Sequence, residues 1–489
     1  MYLKKLHISN FRCFRDYTIE FAPGVTVLFG KNGSGKSTLI HAIHKALSFL
    51  MYSEEIKEKT GKGKKAKVID VKTFRLNNPY PTVEGFSVLD CNYEGTKPIE
   101  YEINIHADAI FGEHFPLDWD MTGVAPKMSL RKSGYRKEFL ELYKWSKDTC
   151  PSPQLPLLAY YSDGYPHYTL FNQRNRKEET KRDFHLKNSF PELGYTDWNS
   201  EKGFTNIWLE RLRNKLSRQE VIPREIRLIE DRYKAGKIEK EKYNAFIEAS
   251  KKELEECNNE ISKISTCLQL FSEGDCNNME VASLELGIYN RTEVNIVTPD
   301  RERYAFSVLP AGYKRLFYIA LDLAYRSFLL SNGTSTDITG VAIIDEIDLH
   351  LHPELEQTVL ERLIKTFTHI QFVVSTHSPL VLTGVSTVNG KNAILRMERN
   401  TVEPIPISDI YGLDYNTGVQ EVMKVNSGDE VLEWAISECA FMLNHNLIEQ
   451  AEVLKRQILD KKYISVQELN SRIELERKKL KYDFYRQIN

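Results

Sequence analysis

Residues Gly30 to Ser37 read Gly-Lys-Asn-Gly-Ser-Gly-Lys-Ser, a complete GxxxxGK[ST] pattern, and no other stretch restricts the fold as tightly. The pattern needs a strand before it and a helix after it, because backbone N–H groups of the loop and of a helix N-terminus must converge on one anion. Both flanks are present. Val25 to Phe29 reads as a short buried strand, and Leu39, Ile40, Ile43, Ala46, Leu47 and Leu50 recur at helical spacing. Gly30, Lys31, Asn32, Gly33, Ser34, Gly35, Lys36, Ser37 and Thr38 are therefore the candidate phosphate-binding residues, with Lys36 on the terminal phosphates and Ser37 on magnesium. A chance match in a glycine-rich turn would explain the eight residues but not their flanks.

A magnesium and phosphate site also needs a carboxylate from elsewhere in the chain. Val341-Ala342-Ile343-Ile344-Asp345-Glu346 is an apolar run ending in two acids, as expected of a buried parallel strand whose C-terminal end points into the site. Asp345 is the candidate metal residue, acting through water, and Glu346 the candidate general base on the water attacking a γ-phosphate. Taken alone, the run also fits a core strand with solvated end charges. Downstream, Leu355, Val359, Leu360, Leu363, Ile364 and Phe367 mark one face of a crossover helix, and the strand Ile370 to Val374 delivers Ser375-Thr376-His377-Ser378-Pro379. His377 at that strand end is the candidate polar sensor of the γ-phosphate.

Composition narrows the class. Lys and Arg number 66 against 68 Asp and Glu, which argues against nucleic-acid binding by bulk charge alone and leaves room for a local basic face. At 489 residues, with 41% hydrophobic and 27% charged, the chain reads as a soluble globule of about three domains. No stretch approaches the roughly 20 apolar residues that span a bilayer, and Leu316 to Leu330 is interrupted by Asp322 and Arg326. The start lacks the basic-then-apolar layout of a signal peptide. Seven scattered cysteines without a CxxC pair point to a reducing cytoplasm, with no membrane partner.

Four motifs in combination resemble the ABC-type ATPase head of the RecF, SMC and OLD proteins. They are Leu6-His7-Ile8-Ser9-Asn10-Phe11-Arg12-Cys13-Phe14, the glycine-rich loop, Ile343 to Pro353 (IIDEIDLHLHP) and Val373 to Pro379 (VVSTHSP). The resemblance covers about residues 1 to 50 and 280 to 410. It implies an α/β fold: an SMC/RecF-like P-loop ATPase head with a helical, short coiled-coil-like insertion and a helical C-terminal tail. It also implies ATP and Mg2+ as cofactors, Arg12 as a phosphate or base contact, and a homodimer or higher homo-oligomer with ATP sandwiched between heads. The expected division is 1–170 for the first head segment, 171–275 for the insertion, 276–410 for the second head segment and 411–489 for the tail.

The class further implies a signature helix that reaches the γ-phosphate of a facing protomer. The matching stretch, Leu309-Pro310-Ala311-Gly312-Tyr313-Lys314-Arg315, makes Gly312 and Lys314 candidate nucleotide contacts. Pro310 stands where a serine is usual and offers neither hydroxyl nor N–H, so slow hydrolysis is expected, with Lys314, Arg315 and the helix N-terminus as compensating groups. This stretch, Leu155 to Ser162 and the strand Ile370 to Val381 (IQFVVSTHSPLV) are similar to PtuA-like ATPases of the Septu and retron-associated anti-phage systems. That similarity implies an ATP-dependent sensor and scaffold beside a separately encoded HNH-type, PtuB-like nuclease. The alternative is a RecF-like repair ATPase that clamps DNA without a nuclease. A glutamine loop has only Gln154 and Gln173 as candidates.

The remaining stretches are read more simply. Lys57 to Lys67 is expected to be a surface loop, solvated or touching DNA phosphates, and Arg174 to Lys177 with Lys181 and Arg182 forms a second basic cluster near Tyr165, Tyr168 and Phe171. Phe204 to Leu270 reads as two long charged helices around Ala235-Gly236, either a coiled-coil stub or a lid. Asp345, Asp348, His350 and His352 invite a metal reading, but an interface loop is preferred. The helical tail leaves too little chain for a Toprim nuclease. It is a cap on its own head or a docking surface.

Overall fold

The computed structural model describes residues 1–60, 67–75, 83–94, 97–98, 102–112, 114–124, 128–149, 156–162, 191–196, 198, 205–275, 279–287, 293–407, 410–412, 430–445, 447–460, 466 and 468–477. The chain divides into two units, Met1–Gly412 and Leu413–Asn489.

The first unit is built on a six-stranded sheet. Its order is Leu157–Tyr161, Gly340–Ile344, Ile370–Thr376, Val25–Phe29, Ala393–Arg396 and Ile405–Pro406. The first five strands run parallel and the last is antiparallel. Every residue of Val25–Phe29, Gly340–Ile344 and Ile370–Thr376 is buried, which is why these segments read as unbroken rather than alternating apolar runs. In-register pairing of Ile344 with Val374, and of Thr376 with Phe29, brings the loops after these strands to one edge.

An antiparallel sheet, ordered Ser129–Leu130, Phe115–Val124, Glu102–Phe111, Tyr2–Phe11 and Phe14–Glu20, lies beside it. Here buried and half-exposed residues alternate, as in Glu102–Phe111, because only one face meets the core. The helix Lys36–Leu47 packs between the two sheets. Trp119 Nε1 donates to the Ala46 carbonyl at 2.9 Å on one side, and the His44 ring lies 5.1 Å from that of Tyr160 on the other. Gln371 ties the sheets directly. Its Oε1 accepts from the Leu3 N–H at 2.8 Å, and its Nε2 donates to the Leu3 and Ala22 carbonyls at 2.9 Å each.

Of the expected surface loop at Lys57 to Lys67, Lys57–Thr60 and Lys67 belong to the strands Ser53–Thr60 and Lys67–Arg75, which pair antiparallel, and 61–66 lie outside the described residues.

Helices Thr205–Lys234 and Lys240–Ser272 form an antiparallel pair that turns at Gly236, whose φ is 70°. At about 1.5 Å per residue each is roughly 45–50 Å long. Their base is rooted on the helix Ala311–Leu330: Trp208 stacks on Tyr325 with centroids 5.2 Å apart, and its Nε1 donates to Asp322. Between the two long helices, Arg211 and Glu260 form a buried bidentate pair at 2.7 and 2.8 Å. The distal parts of both helices are exposed, so the pair is a short projecting hairpin.

The second unit holds the helices Glu430–Asn444 and Ile448–Asp460 and helical residues 468–477. Its own core joins Ile436, Cys439, Ala440, Ile458, Leu469 and Ile473.

Candidate active site

The glycine-rich loop leaves the strand Val25–Phe29 at Gly30 and enters the helix at Lys36. Gly30, Gly33 and Gly35 have φ of 153°, 78° and 101°. At Gly30 a Cβ would stand 2.4 Å from the Met397 carbonyl oxygen, and at Gly35 it would stand 2.8 Å from the Phe14 ring. Two glycines are thus fixed by sterics as well as by backbone conformation. No acidic residue occupies the first helical turn, so the helix N-terminus keeps its attraction for an anion.

Lys36 Nζ donates to the Gly30 carbonyl at 2.8 Å and to the Lys31 carbonyl at 3.4 Å. Burial lowers the pKa of this amine, while the nearby Asp345, Glu346 and Asp348 carboxylates pull it back up. The Ser34 hydroxyl is buried without a hydrogen-bond partner among the described residues. Lys31, Asn32, Gly33 and Ser37 are exposed, and Thr38 is half-buried.

The strand Gly340–Ile344 ends at the same edge, one strand away. Ser375 Oγ donates to Asp345 Oδ1 and accepts the Glu346 N–H at 2.8 Å, so one hydroxyl holds both acidic residues. The Asp345 N–H in turn donates to the Tyr161 carbonyl at 2.8 Å. Glu346 is half-buried and sits in the left-handed region at φ 49°. His377 is exposed at the end of the intervening strand, and its N–H donates to Asp348 Oδ1 at 3.3 Å.

The helix Ala311–Leu330 begins beside this loop. A Cβ on Gly312 would stand 2.6 Å from the His350 carbonyl oxygen, so only glycine permits that approach. Arg315 is 1% exposed and donates from Nη2 to the Asp345 carbonyl at 2.8 Å. The expectation that Arg315 compensates for Pro310 is therefore corrected: its guanidinium braces the acidic loop from within. Lys314 Nζ donates to the Ser307 carbonyl at 2.7 Å. Arg12, at φ 50°, donates from Nε to Asp90 Oδ1 at 3.0 Å, while its neighbours Cys13 and Phe14 lie against Gly35.

One edge therefore gathers Gly30 to Thr38, Asp345, Glu346 and His377, with Gly312 abutting the loop that joins them. Lys314 and Arg12 already have protein partners. The sequence reading gave Ser375 no role of its own, although a hydroxyl closing an otherwise apolar strand was the visible signal, and it placed Asp348 only in an interface loop. Gln154, Gln173, Arg174 to Lys177, Lys181, Arg182, Tyr165, Tyr168 and Phe171 lie outside the described residues.

Among the described residues no group of three or more His, Cys, Asp or Glu side chains is placed to hold a metal. The oxygen donors Ser37 and Asp345 suit magnesium, which takes few protein ligands beside substrate phosphates. No helix among those residues is long and apolar enough to cross a membrane.

A family model described as AAA ATPase domain matches residues 1–382. The chain is 26% identical over 426 residues to the retron Ec83 probable ATPase of Escherichia coli, covering 78% of this chain and 70% of that protein. It is 26% identical over 382 residues to the retron Vc95 probable ATPase of Vibrio cholerae, covering 74% and 67%. A shorter match, 36% identical over 87 residues, links it to the Septu protein PtuA of Bacillus mycoides, covering 18% and 12%.

Proposed function

The chain belongs to the AAA ATPase domain family, and from that premise we propose that it is the ATP-operated sensor and scaffold of an anti-phage defence complex. The observation that carries the reading is the shared edge: Lys36, Asp345 and Glu346 converge there, with a single Ser375 hydroxyl fixing both acids. The retron and Septu names of its relatives supply the defence context.

In this reading Gly30 to Thr38 bind the phosphates of ATP, and Lys36 leaves its two carbonyl partners to pair with them. Ser37 and Asp345 hold magnesium, which neutralises phosphate charge when bound. Glu346 accepts a proton from the attacking water, and His377 senses the γ-phosphate. Two heads sandwich ATP, each presenting Lys314 and the start of the helix Ala311–Leu330 to its partner, while Gly312, buried against the His350 carbonyl, holds that helix start in place. Pro310 weakens that contact, and hydrolysis is slow. The nucleotide state sets the activity of a separate HNH-type nuclease in the cytoplasm. ATP drives such a change only if the two head arrangements differ in affinity for it.

The test is a tagged purification from the native operon with mass spectrometry of everything retained. A small nuclease bound in fixed ratio, lost or deregulated in Lys36→Ala, supports the proposal. A chain that returns alone and clamps DNA only with ATP replaces it with a RecF-like repair ATPase.

A further inference from the structure

The strand end at residues 375–378 is held by an ordered set of contacts beyond those at Asp345. Thr376 Oγ1 donates to Asp348 Oδ1 at 2.6 Å and accepts the Ser378 N–H at 2.9 Å. The same Asp348 oxygen accepts the His377 N–H at 3.3 Å. Ser378 Oγ donates to Glu356, at the start of the helix Pro353–Thr366. Thr376 and Ser378 are buried while His377 between them is exposed. The peptide on both sides of the histidine is thus gripped, and its imidazole alone is presented outward.

Asp348 is also tied to the other half of the site. It belongs to the turn between Glu346 and His350, two non-glycine residues in the left-handed region at φ 49° and 65°. Conformations of that kind persist only where surrounding contacts hold them. The Thr376 to Asp348 bond is one such contact, and the Asp348 charge is felt by Lys36.

We infer that Thr376 and Asp348 are positioning residues for His377, holding the strand end on both sides of it so that its imidazole is aimed. The inference rests on the ATPase reading proposed above and deepens it by naming what aims the sensor. A threonine hydroxyl suits the task because it donates and accepts at once, whereas valine of similar shape does neither.

The test uses the full chain and a double-mutant cycle. Thr376→Val lowers kcat about tenfold with ATP affinity, read by a fluorescent analogue, within about twofold of wild type. Thr376→Ser restores most of the rate. In a His377→Ala background Thr376→Val adds less than about twofold, because the group it positions is gone. Asp348→Asn follows the same pattern. Losses that multiply in the double variant, or a Thr376→Val chain with wild-type kcat, overturn the inference while leaving the ATPase reading intact. Turnover that Lys36→Ala does not reduce, or no turnover in wild type, overturns both. A Thr376→Val chain that fails to fold, while Thr376→Ser retains wild-type kcat and Asp348→Asn shows no cycle with His377→Ala, also overturns the inference.

Discussion

Ser375 and Asp345 are joined side chain to side chain, with the Ser375 hydroxyl donating to Oδ1 while it accepts the Glu346 amide at 2.8 Å. Asp345 and Ser375 are both buried, and the hydroxyl uses its single proton and a lone pair on two adjacent acidic residues. The order of the strands makes this bond available, since Ile370–Thr376 runs between the loop strand and the acidic strand.

Ser375→Ala should therefore weaken both acids together. Hydrogen bonds to charged groups contribute roughly 1.5–3 kcal/mol, so a turnover loss of about 10- to 100-fold is expected, with smaller change in ATP affinity. Steady-state hydrolysis beside nucleotide titration checks it. An unchanged kcat contradicts the assigned role.

Gly30→Ala should disable the loop at its entrance. The added Cβ meets the Met397 carbonyl oxygen at 2.4 Å and the Ser34 hydroxyl at 2.9 Å, at a φ that L-residues rarely adopt. A stability loss of about 1–3 kcal/mol is expected, together with lost ATP binding. Gly33→Ala meets nothing within 4 Å and tests backbone conformation without the clash. Urea unfolding of both variants separates the two effects.

Asp90 links the turn at Arg12 to acid stability. Burial works against its charge, but the Ser87 amide, Lys45 and Arg12 more than reverse this and hold the carboxyl below its ordinary value. A depressed carboxylate stabilises the fold above its unfolded pKa, near 4, and the contribution is lost as pH falls through the folded value. Asp90→Asn should be less stable than wild type at pH 7, and the gap should close towards pH 3. Urea midpoints across that range decide it, and a gap independent of pH contradicts the assignment.

The buried pair in the projecting hairpin offers a mechanical control. Glu260 meets Arg211 through both oxygens and Lys215 at 3.4 Å, so Glu260→Ala leaves buried positive charge without its counter-ion. A loss of about 3–5 kcal/mol is expected, largely recovered when Arg211→Met and Glu260→Leu are combined. Chemical unfolding of the single and double variants measures it.

The site was legible where chemistry dictates main-chain shape. Gly30 to Ser37 can cradle a phosphate only between a strand and a helix, and the acids Asp345 and Glu346 follow a run too apolar to be a surface segment. Relationships between distant residues were not legible. Nothing local marks Gln371 as the partner of Leu3, and nothing in the signature stretch tells that Arg315 turns inward while Lys314 turns outward. The pairing of Ser53–Thr60 with Lys67–Arg75 was likewise not legible, because the lysines at both ends of the expected loop look solvated while the cross-strand partners that order them lie elsewhere in the chain. The hairpin at 205–272 was legible as two helices, but its footing on Asp322 and Tyr325 depends on Trp208 meeting a helix about 110 residues away.

The most direct measurement is the solution mass of purified Lys36→Ala and Glu346→Gln with and without ATP and magnesium. Glu346→Gln keeps the binding loop and loses only the base, so its mass should rise by at least a factor of two with ATP and stay raised. Lys36→Ala should keep the same mass under both conditions. If ATP leaves Glu346→Gln unchanged, or raises both variants alike, the ATP-sandwiched head is contradicted.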